Sequence, residues 1–151
     1  MGIVERVSEE MKVAQKAKDT ARLSALRNAR AALLNEMKKD GSETLDDAVA
    51  TAVLRRLAKQ REESIAAFEG AGRADRAEAE RAEKAVIEAF VPSLADEATT
   101  RAWVQAAIAE TGAASARDLG RVMGALMKAH RDDVDGALAR KLAGELLAGA
   151  A

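Results

Sequence analysis

Apolar residues recur every three to four positions along most of the chain, which is the period of an amphipathic α-helix. The pattern predicts seven helices, at about residues 3–17, 20–39, 45–69, 73–90, 96–110, 116–130 and 136–147. In the third helix it predicts an inward stripe of Val49, Val53, Leu57, Ile65 and Phe68. The sequence therefore predicts an all-α fold.

Short breaks separate these helices and also indicate where a domain ends. Asp40-Gly41-Ser42 breaks the chain after the second helix, and Gly70-Ala71-Gly72 gives a second break, because glycines can end a helix with positive φ. Gly112 follows the fifth helix, as expected of a glycine at a helix C-terminus. Pro92 is the only proline and should mark the end of the fourth helix. Composition changes there: residues 1–92 contain 17 Lys and Arg and 17 Asp and Glu, whereas residues 93–151 contain 7 and 8. We predict a four-helix N-terminal module, residues 1–92, and a three-helix bundle, residues 93–151.

Three helices carry N-terminal capping signals in their sequence. Thr44 with Asp47, and Ser115 with Asp118, have the spacing of capping boxes, in which the two side chains accept hydrogen bonds from backbone N–H groups. Asp135 is a candidate N-cap for the seventh helix.

Composition narrows the class of protein. Of the 151 residues, 48% are hydrophobic but only 2% are aromatic, and 37 are Ala. Ala favours helices, and scarce aromatic residues argue against a β-sandwich or barrel. The absence of Cys excludes disulfides and thiolate metal sites. With no signal peptide or membrane span in the pattern, we expect a cytoplasmic protein that does not contact a membrane.

The sequence offers little for catalysis. His130 is the only histidine and falls on an apolar stripe near a helix end, where partial burial or the helix dipole explains it better than a catalytic role. The acidic run Asp132, Asp133 and Asp135 is better explained as a capped loop than as a metal site. No nucleophile or phosphate-binding motif is present. We expect no active site, no metal and no cofactor.

Basic residues concentrate near the N-terminus and suggest where an anion could bind. The segment from Lys12 to Lys39 contains eight basic residues and only two acidic ones. The candidate RNA-binding residues there are Lys12, Lys16, Arg22, Arg27 and Arg30. Arg61 lies on the apolar stripe of the third helix, so it should either pair with a glutamate of the fourth helix or face an anionic ligand. Pairing with the fourth helix is also the alternative for the other cations.

Three stretches of sequence together resemble a known family. The first is Lys59-Gln60-Arg61 running to Phe68 and Gly72-Arg73-Ala74-Asp75, and the second is Phe90-Val91-Pro92. The third is Gly120-Arg121-Val122-Met123-Gly124-Ala125-Leu126-Met127, followed by Asp135-Gly136. In this order and spacing they resemble the GatB/YqeY family, and specifically its stand-alone YqeY-like proteins.

The resemblance implies a helical N-terminal module joined to a three-helix module. It is similar to the tail of the tRNA-dependent amidotransferase subunit GatB, which contacts tRNA and contains no active site. The family's carbon–nitrogen ligase label would thus describe relatives rather than chemistry here. The implied RNA-facing stretch carries Gly120, Arg121, Gly124, Lys128 and Gly136. Two interpretations of its glycines remain equal, namely close helix packing and close approach to a sugar–phosphate backbone.

The chain departs from the family pattern after Met127. A proline and a Lys-Gly pair usual there are replaced by a stretch that contains Lys128, Arg131, Asp132 and Asp133. Two carboxylates repel a phosphate backbone, which argues against RNA contact through this loop. We therefore expect a non-catalytic tRNA- or RNA-associated adaptor. The alternative is a protein-interaction module that docks on an aminoacyl-tRNA synthetase or an amidotransferase.

Overall fold

A computed structural model describes residues 1–149 of the chain. Its regular structure in that range is helical throughout, and no β-strand occurs there, which confirms the all-α prediction. The seven helices are α1 (Ile3–Lys16), α2 (Thr20–Asp40), α3 (Asp47–Gly70), α4 (Ala74–Glu88), α5 (Glu97–Thr111), α6 (Leu119–His130) and α7 (Gly136–Gly149). One 3₁₀ turn, Ala116–Asp118, leads directly into α6.

The chain forms two compact units, of which the first comprises Met1–Pro92. Helices α3 and α4 pack along one another, and α2 packs against both as well as against α1. Their shared core is apolar, and its larger members are Ile3, Val7, Leu26, Leu33, Val53, Leu54, Ile87 and Phe90.

The second unit begins at Ser93, and in it α5, α6 and α7 each contact the other two. Its buried core comprises Val104, Ala107, Val122, Met123, Leu126, Val134, Ala139, Leu142, Ala143 and Leu147. The segment that precedes α5 is tied to the α6–α7 loop, because the Ala95 N–H donates to the Asp133 carbonyl oxygen at 2.8 Å.

Small residues make up much of the buried apolar surface. Among the described residues, nine of the twenty-four buried apolar side chains are Ala. Alanine lets helix backbones approach closely but buries little area per residue, at about 25 cal/mol per Å². Both cores are consequently thin, and much of the helix specification comes from intrinsic propensity.

Most of the predicted helix ends are confirmed. Gly41 and Gly112 take left-handed conformations, with φ of 63° and 67°, directly after α2 and α5. A side chain at φ in this range is strained, so glycine is the residue that ends a helix most easily there. The Asp135 carboxylate accepts from the N–H groups of Ala137 and Leu138 and so caps α7 as predicted. The Asp118 carboxylate accepts from the Ser115 N–H, as predicted for the second capping box.

The predicted capping box of Thr44 and Asp47 is wrong. Helix α3 begins at Asp47 with Asp46 as its N-cap, and no side chain caps it. Asp47 Oδ1 instead accepts from the Ile3 N–H of α1 at 3.0 Å. The carboxylate thus satisfies an N–H group at the start of a different helix, a tertiary contact that local spacing could not show.

The inward face predicted for α3 is also wrong in detail. Val49 is 37% exposed, whereas Ala50, Leu54 and Ala58 are buried beside the correctly predicted Val53. The helix is rotated by about one residue from the predicted stripe. The inward face combines Leu54, which the predicted stripe omitted, with Ala50 and Ala58, which are weak apolar markers in a sequence.

Within residues 1–149, no helix is both long enough and apolar enough to cross a membrane.

Candidate nucleic-acid interface

The basic residues of α1 and α2 largely find partners within the first unit. Lys12 Nζ lies 3.1 Å from Glu9 Oε1, one turn away on α1. Arg22 Nη2 lies 2.8 Å from Glu10 Oε2 and links α2 to α1. These pairs reduce the positive charge that the two helices present to an incoming anion.

The other three candidate cations of this stretch differ among themselves. The Arg30 Nε–H donates to Ser8 Oγ at 3.3 Å, so the half-buried guanidinium is held against α1. Lys16 and Arg27 are exposed and make no ion pair within the described residues.

Arg61 is engaged with the acidic face of α4. Its Nη1 lies 3.2 Å from Glu80 Oε2 and 3.1 Å from Glu83 Oε2. Asn28 of α2 donates to the other oxygen of Glu83 at 2.9 Å, so the network joins three helices. Of the two interpretations of Arg61, pairing with the fourth helix is the one that the structure shows.

Arg55 and Arg56 of α3 also have partners in the first unit. Arg55 Nη2 donates to the Pro92 carbonyl oxygen at 3.1 Å. Arg56 Nη2 lies 4.0 Å from Glu36 Oε2, a weak contact between an exposed guanidinium and a half-buried carboxylate. The first unit therefore neutralises much of its positive charge internally.

One face of α6 carries a different arrangement of cations. Arg121, Gly124 and Lys128 are exposed at intervals of three and four, so they line up along the helix. Arg117, in the 3₁₀ turn before α6, and Arg131, directly after α6, are exposed at its two ends, and Gly120 lies beside the row. We call this set the α6 basic face. Sequence reasoning missed Arg117 and, as a binding residue, Arg131, although this spacing was visible in the sequence.

Few carboxylates oppose the α6 basic face. Arg121 Nη2 lies 2.9 Å from Asp118 Oδ1, one turn earlier. Arg117, Lys128 and Arg131 are exposed and form no ion pair with any residue of the described range. Unlike those of Arg22 or Arg61, these charges are open to an anionic ligand.

Asp118 is a structural carboxylate on the flank of this face. Hydrogen bonds from the backbone N–H of Ala114, and then from the Arg121 side chain, lower the pKa of Asp118 below its ordinary value. The carboxylate holds the turn before α6 and fixes one guanidinium at the start of the basic face.

The glycines of α6 have open space above them. A Cβ built on Gly120 or on Gly124 would meet no atom within 4 Å among the described residues, and both positions are exposed. Close packing against another helix of the described chain therefore does not explain them. Gly136, at the start of α7, is half-buried and likewise has no neighbour within that distance.

The end of α6 carries an aromatic pair that sequence reasoning did not find. His130 stacks on Trp103 of α5, with ring centroids 3.8 Å apart and planes 5° from parallel. Both rings are half-buried at the edge of the second core. No sequence signal connects two residues so far apart in the chain, although each is the only one of its type.

The acidic residues of the second unit form no evident metal site. Nowhere in residues 1–149 do three His, Cys, Asp or Glu side chains cluster closely enough to hold a metal ion. Asp135 is used as a helix cap, while Asp132 and Asp133 are exposed in the loop after α6.

Comparison with known proteins gives one family. The family model described as YqeY-like protein matches residues 4–147, which is nearly the whole chain. No curated protein matches the chain.

Proposed function

The chain belongs to the YqeY-like family, and on that premise we propose that it is a non-catalytic adaptor that binds tRNA in the cytoplasm. The α6 basic face is the proposed contact surface. Its role would be to hold or present RNA to a partner enzyme, in the manner of the GatB tail that the sequence resembles.

The observation that carries the proposal is the combination of unpaired cations and bare backbone on α6. Arg117 and Lys128 supply charge without an opposing carboxylate in the described residues, and phosphate contacts dominate RNA affinity. Gly120 and Gly124 leave the helix backbone uncovered between these cations, so a sugar–phosphate chain can approach closely. The open glycines therefore favour close approach to a sugar–phosphate backbone over close packing of helices.

The acidic loop sets a limit to this surface. Asp132 and Asp133 are exposed just after Arg131 and repel phosphate at that end of the helix. The RNA backbone should therefore lie along the stretch from Arg117 to Lys128. Replacing both aspartates with asparagine should increase tRNA affinity, and unchanged affinity would place the RNA farther from the loop.

Binding of unmodified tRNA to the full chain, measured at several salt concentrations, tests the proposal. About three phosphate contacts predict that log K falls with log salt concentration with a slope near −2 to −3. Absence of binding at low micromolar protein and low salt would overturn the proposal, and so would affinity that does not change with salt.

A second candidate is docking on an aminoacyl-tRNA synthetase or amidotransferase subunit without RNA. The acidic loop residues Asp132 and Asp133 and the nearly balanced net charge of −1 favour it, because neither attracts a polyanion. Capture of partners from a lysate with and without RNase separates the two. Synthetase or amidotransferase subunits retained after RNase treatment favour docking, and their loss favours the RNA adaptor.

A further inference from the structure

The stacked pair Trp103 and His130 has no role in the proposed phosphate contacts, yet it lies at the end of the same helix. The two rings come from different helices, lie with centroids 3.8 Å apart in nearly parallel planes, and so form one stacked aromatic block. Both rings remain half-buried rather than fully covered. Part of the aromatic block is therefore accessible at the surface.

The surface of α6 leads from the cations to this block. Successive residues of an α-helix are about 100° apart around its axis. On that basis Gly120 and Met127 lie between the α6 basic face and the flank that carries His130. Gly120 is open, and Met127 is half-buried against the second core. A shallow apolar strip thus separates the row of cations from the aromatic pair.

Such an arrangement suits a nucleotide whose base is free. Cations on one side can contact phosphates, the strip allows the sugar to approach, and the aromatic block offers a surface on which a base stacks. A base inside a duplex is already stacked on its neighbours, so an aromatic side chain reaches it only when it is unpaired.

The acidic loop strengthens this assignment. Asp132 and Asp133 make the C-terminal end of α6 a poor place for a phosphate. Stacking does not depend on net charge in this way, so the aromatic pair can hold a base where the local charge disfavours the backbone.

We propose that Trp103 and His130 form a stacking site for an unpaired nucleobase, so that the adaptor recognises single-stranded or loop nucleotides rather than paired stems. This inference rests on the proposed function, since it assigns the class of RNA structure that the α6 basic face would bind. It adds two residues that no charge-based argument selects.

The chain provides its own probe, because Trp103 is the only Trp and there is no Tyr. The full-length protein is titrated with an oligouridylate of about 12 nucleotides, a length within the range of single-strand binding sites, and with a fully paired RNA duplex of the same length. We expect the single strand to change Trp103 emission and to bind more tightly. Equal affinity for both, or binding of the single strand with unchanged emission, would overturn the inference.

Variants separate stacking from folding. Trp103→Leu should weaken binding of a dye-labelled oligouridylate by about 5- to 100-fold, whereas Trp103→Phe, which keeps an aromatic face, should lose less than about fivefold. The matched control is Phe68→Leu in the first unit, where Phe68 packs under Arg76 with 5.9 Å from the guanidinium carbon to the ring centroid. It should leave oligouridylate affinity unchanged.

Thermal melting of each variant checks that it is folded. The Trp103 emission titration uses the unaltered protein, so its result does not depend on the folding of any variant. A folded Trp103→Leu variant that binds like the parent would contradict the inference. If tRNA binds with the expected salt dependence but Trp103 does not respond, the stacking site is refuted and the adaptor function survives. If no RNA binds, both proposals fail together.

Discussion

The first unit and α6 carry positive charge in two different ways. Residues 1–92 contain 17 Lys and Arg, and residues 93–151 only 7. Yet Arg22 and Arg61 in the first unit contact carboxylates within 3.2 Å, while Arg117 and Lys128 on the α6 basic face contact none in the described residues. The first unit also exposes cations that form no ion pair in the described residues, among them Lys16, Lys18, Arg27, Lys38 and Lys59. The α6 basic face is therefore distinguished by the arrangement of its unpaired cations along one helix and not by their number.

The comparison shows that pairing, rather than the number of cations, decides where an anion can bind. A guanidinium paired with two carboxylates presents little net positive charge to another anion. To bind that anion it would have to give up its hydrogen bonds to the carboxylates, which costs free energy. An exposed lysine that contacts a phosphate displaces counterions condensed on the nucleic acid, and their release is a gain in entropy. The four predictions below test this difference, beginning with the largest expected effect.

The largest effect should come from removing the cations of α6. The triple variant Arg117→Gln, Arg121→Gln and Lys128→Gln should lower tRNA affinity more than about tenfold at low salt and reduce the salt slope by about 2 to 3. The comparison variant is Lys12→Gln, Arg22→Gln and Arg30→Gln, which removes the same charge from the first unit. It should bind tRNA within about twofold of the parent. The opposite ranking of the two variants would move the interface to the first unit.

The next effect concerns the internal pairing of the first unit. Arg61→Leu leaves Glu80 and Glu83, whose side chains are only 19% exposed, without their cation. Allowing for the partial exposure of the group, the free energy of unfolding should fall by about 2 kcal/mol in urea denaturation. Arg56→Leu on the same helix is the control, because Arg56 is 61% exposed and 4.0 Å from its partner. It should change stability by less than about 0.5 kcal/mol, and similar losses for both variants would refute the assigned difference.

A smaller effect separates stability from binding at α6. Gly124→Ala adds a Cβ that meets nothing within 4 Å, so it should raise the free energy of unfolding by about 0.5–1 kcal/mol. The same methyl group stands on the surface that RNA is proposed to approach, so tRNA affinity should fall. Gly144→Ala on α7 is equally unobstructed and should stabilise the protein without weakening binding. If Gly124→Ala binds tRNA as the parent does, the bare backbone has no part in recognition.

The smallest effect should depend on pH. The pKa of Asp118 is lowered in the folded protein by the Ala114 N–H and by Arg121, so its ionised form is stabilised by folding. This contribution is complete above the ordinary value of 3.8 and is lost as pH falls through the lower, folded pKa. Asp118→Asn should therefore reduce the Tm slightly at pH 6, and the difference should vanish in strong acid. If the Tm difference between Asp118→Asn and the parent persisted in strong acid, the assigned role of these hydrogen bonds would be contradicted. An equal loss of Tm in Asp132→Asn at pH 6 would contradict it as well.

Local sequence rules predicted the helices well because their causes are local. Gly112 ends α5 and Asp135 caps α7 through contacts within a few residues, and the period of apolar positions located every helix. The same rules failed at Asp47, whose carboxylate accepts from Ile3 on another helix. They also failed at Val49, because α3 turns the face that carries Ala50, Leu54 and Ala58 inward.

The candidate site was only partly visible in the sequence. Gly120, Arg121, Gly124 and Lys128 were selected through the family resemblance, and the structure places them on one exposed face. Arg117 and Arg131 share that face and could have been found from their helical spacing. Trp103 and His130 could not have been, because their contact depends on how α5 packs against α6.

The sequence by itself determined that this protein is helical, where its helices begin and end within a few residues, and that it belongs to the YqeY-like family. Only the tertiary structure decided which cations are neutralised and which remain available. The physical reason is range: helix periodicity and capping depend on neighbours within one or two turns, whereas an ion pair or a ring stack needs atoms from distant segments within about 4 Å of each other. Arg61 and Lys128 are both basic residues on helices, and the residues packed around each make one a structural tie and the other a candidate RNA contact.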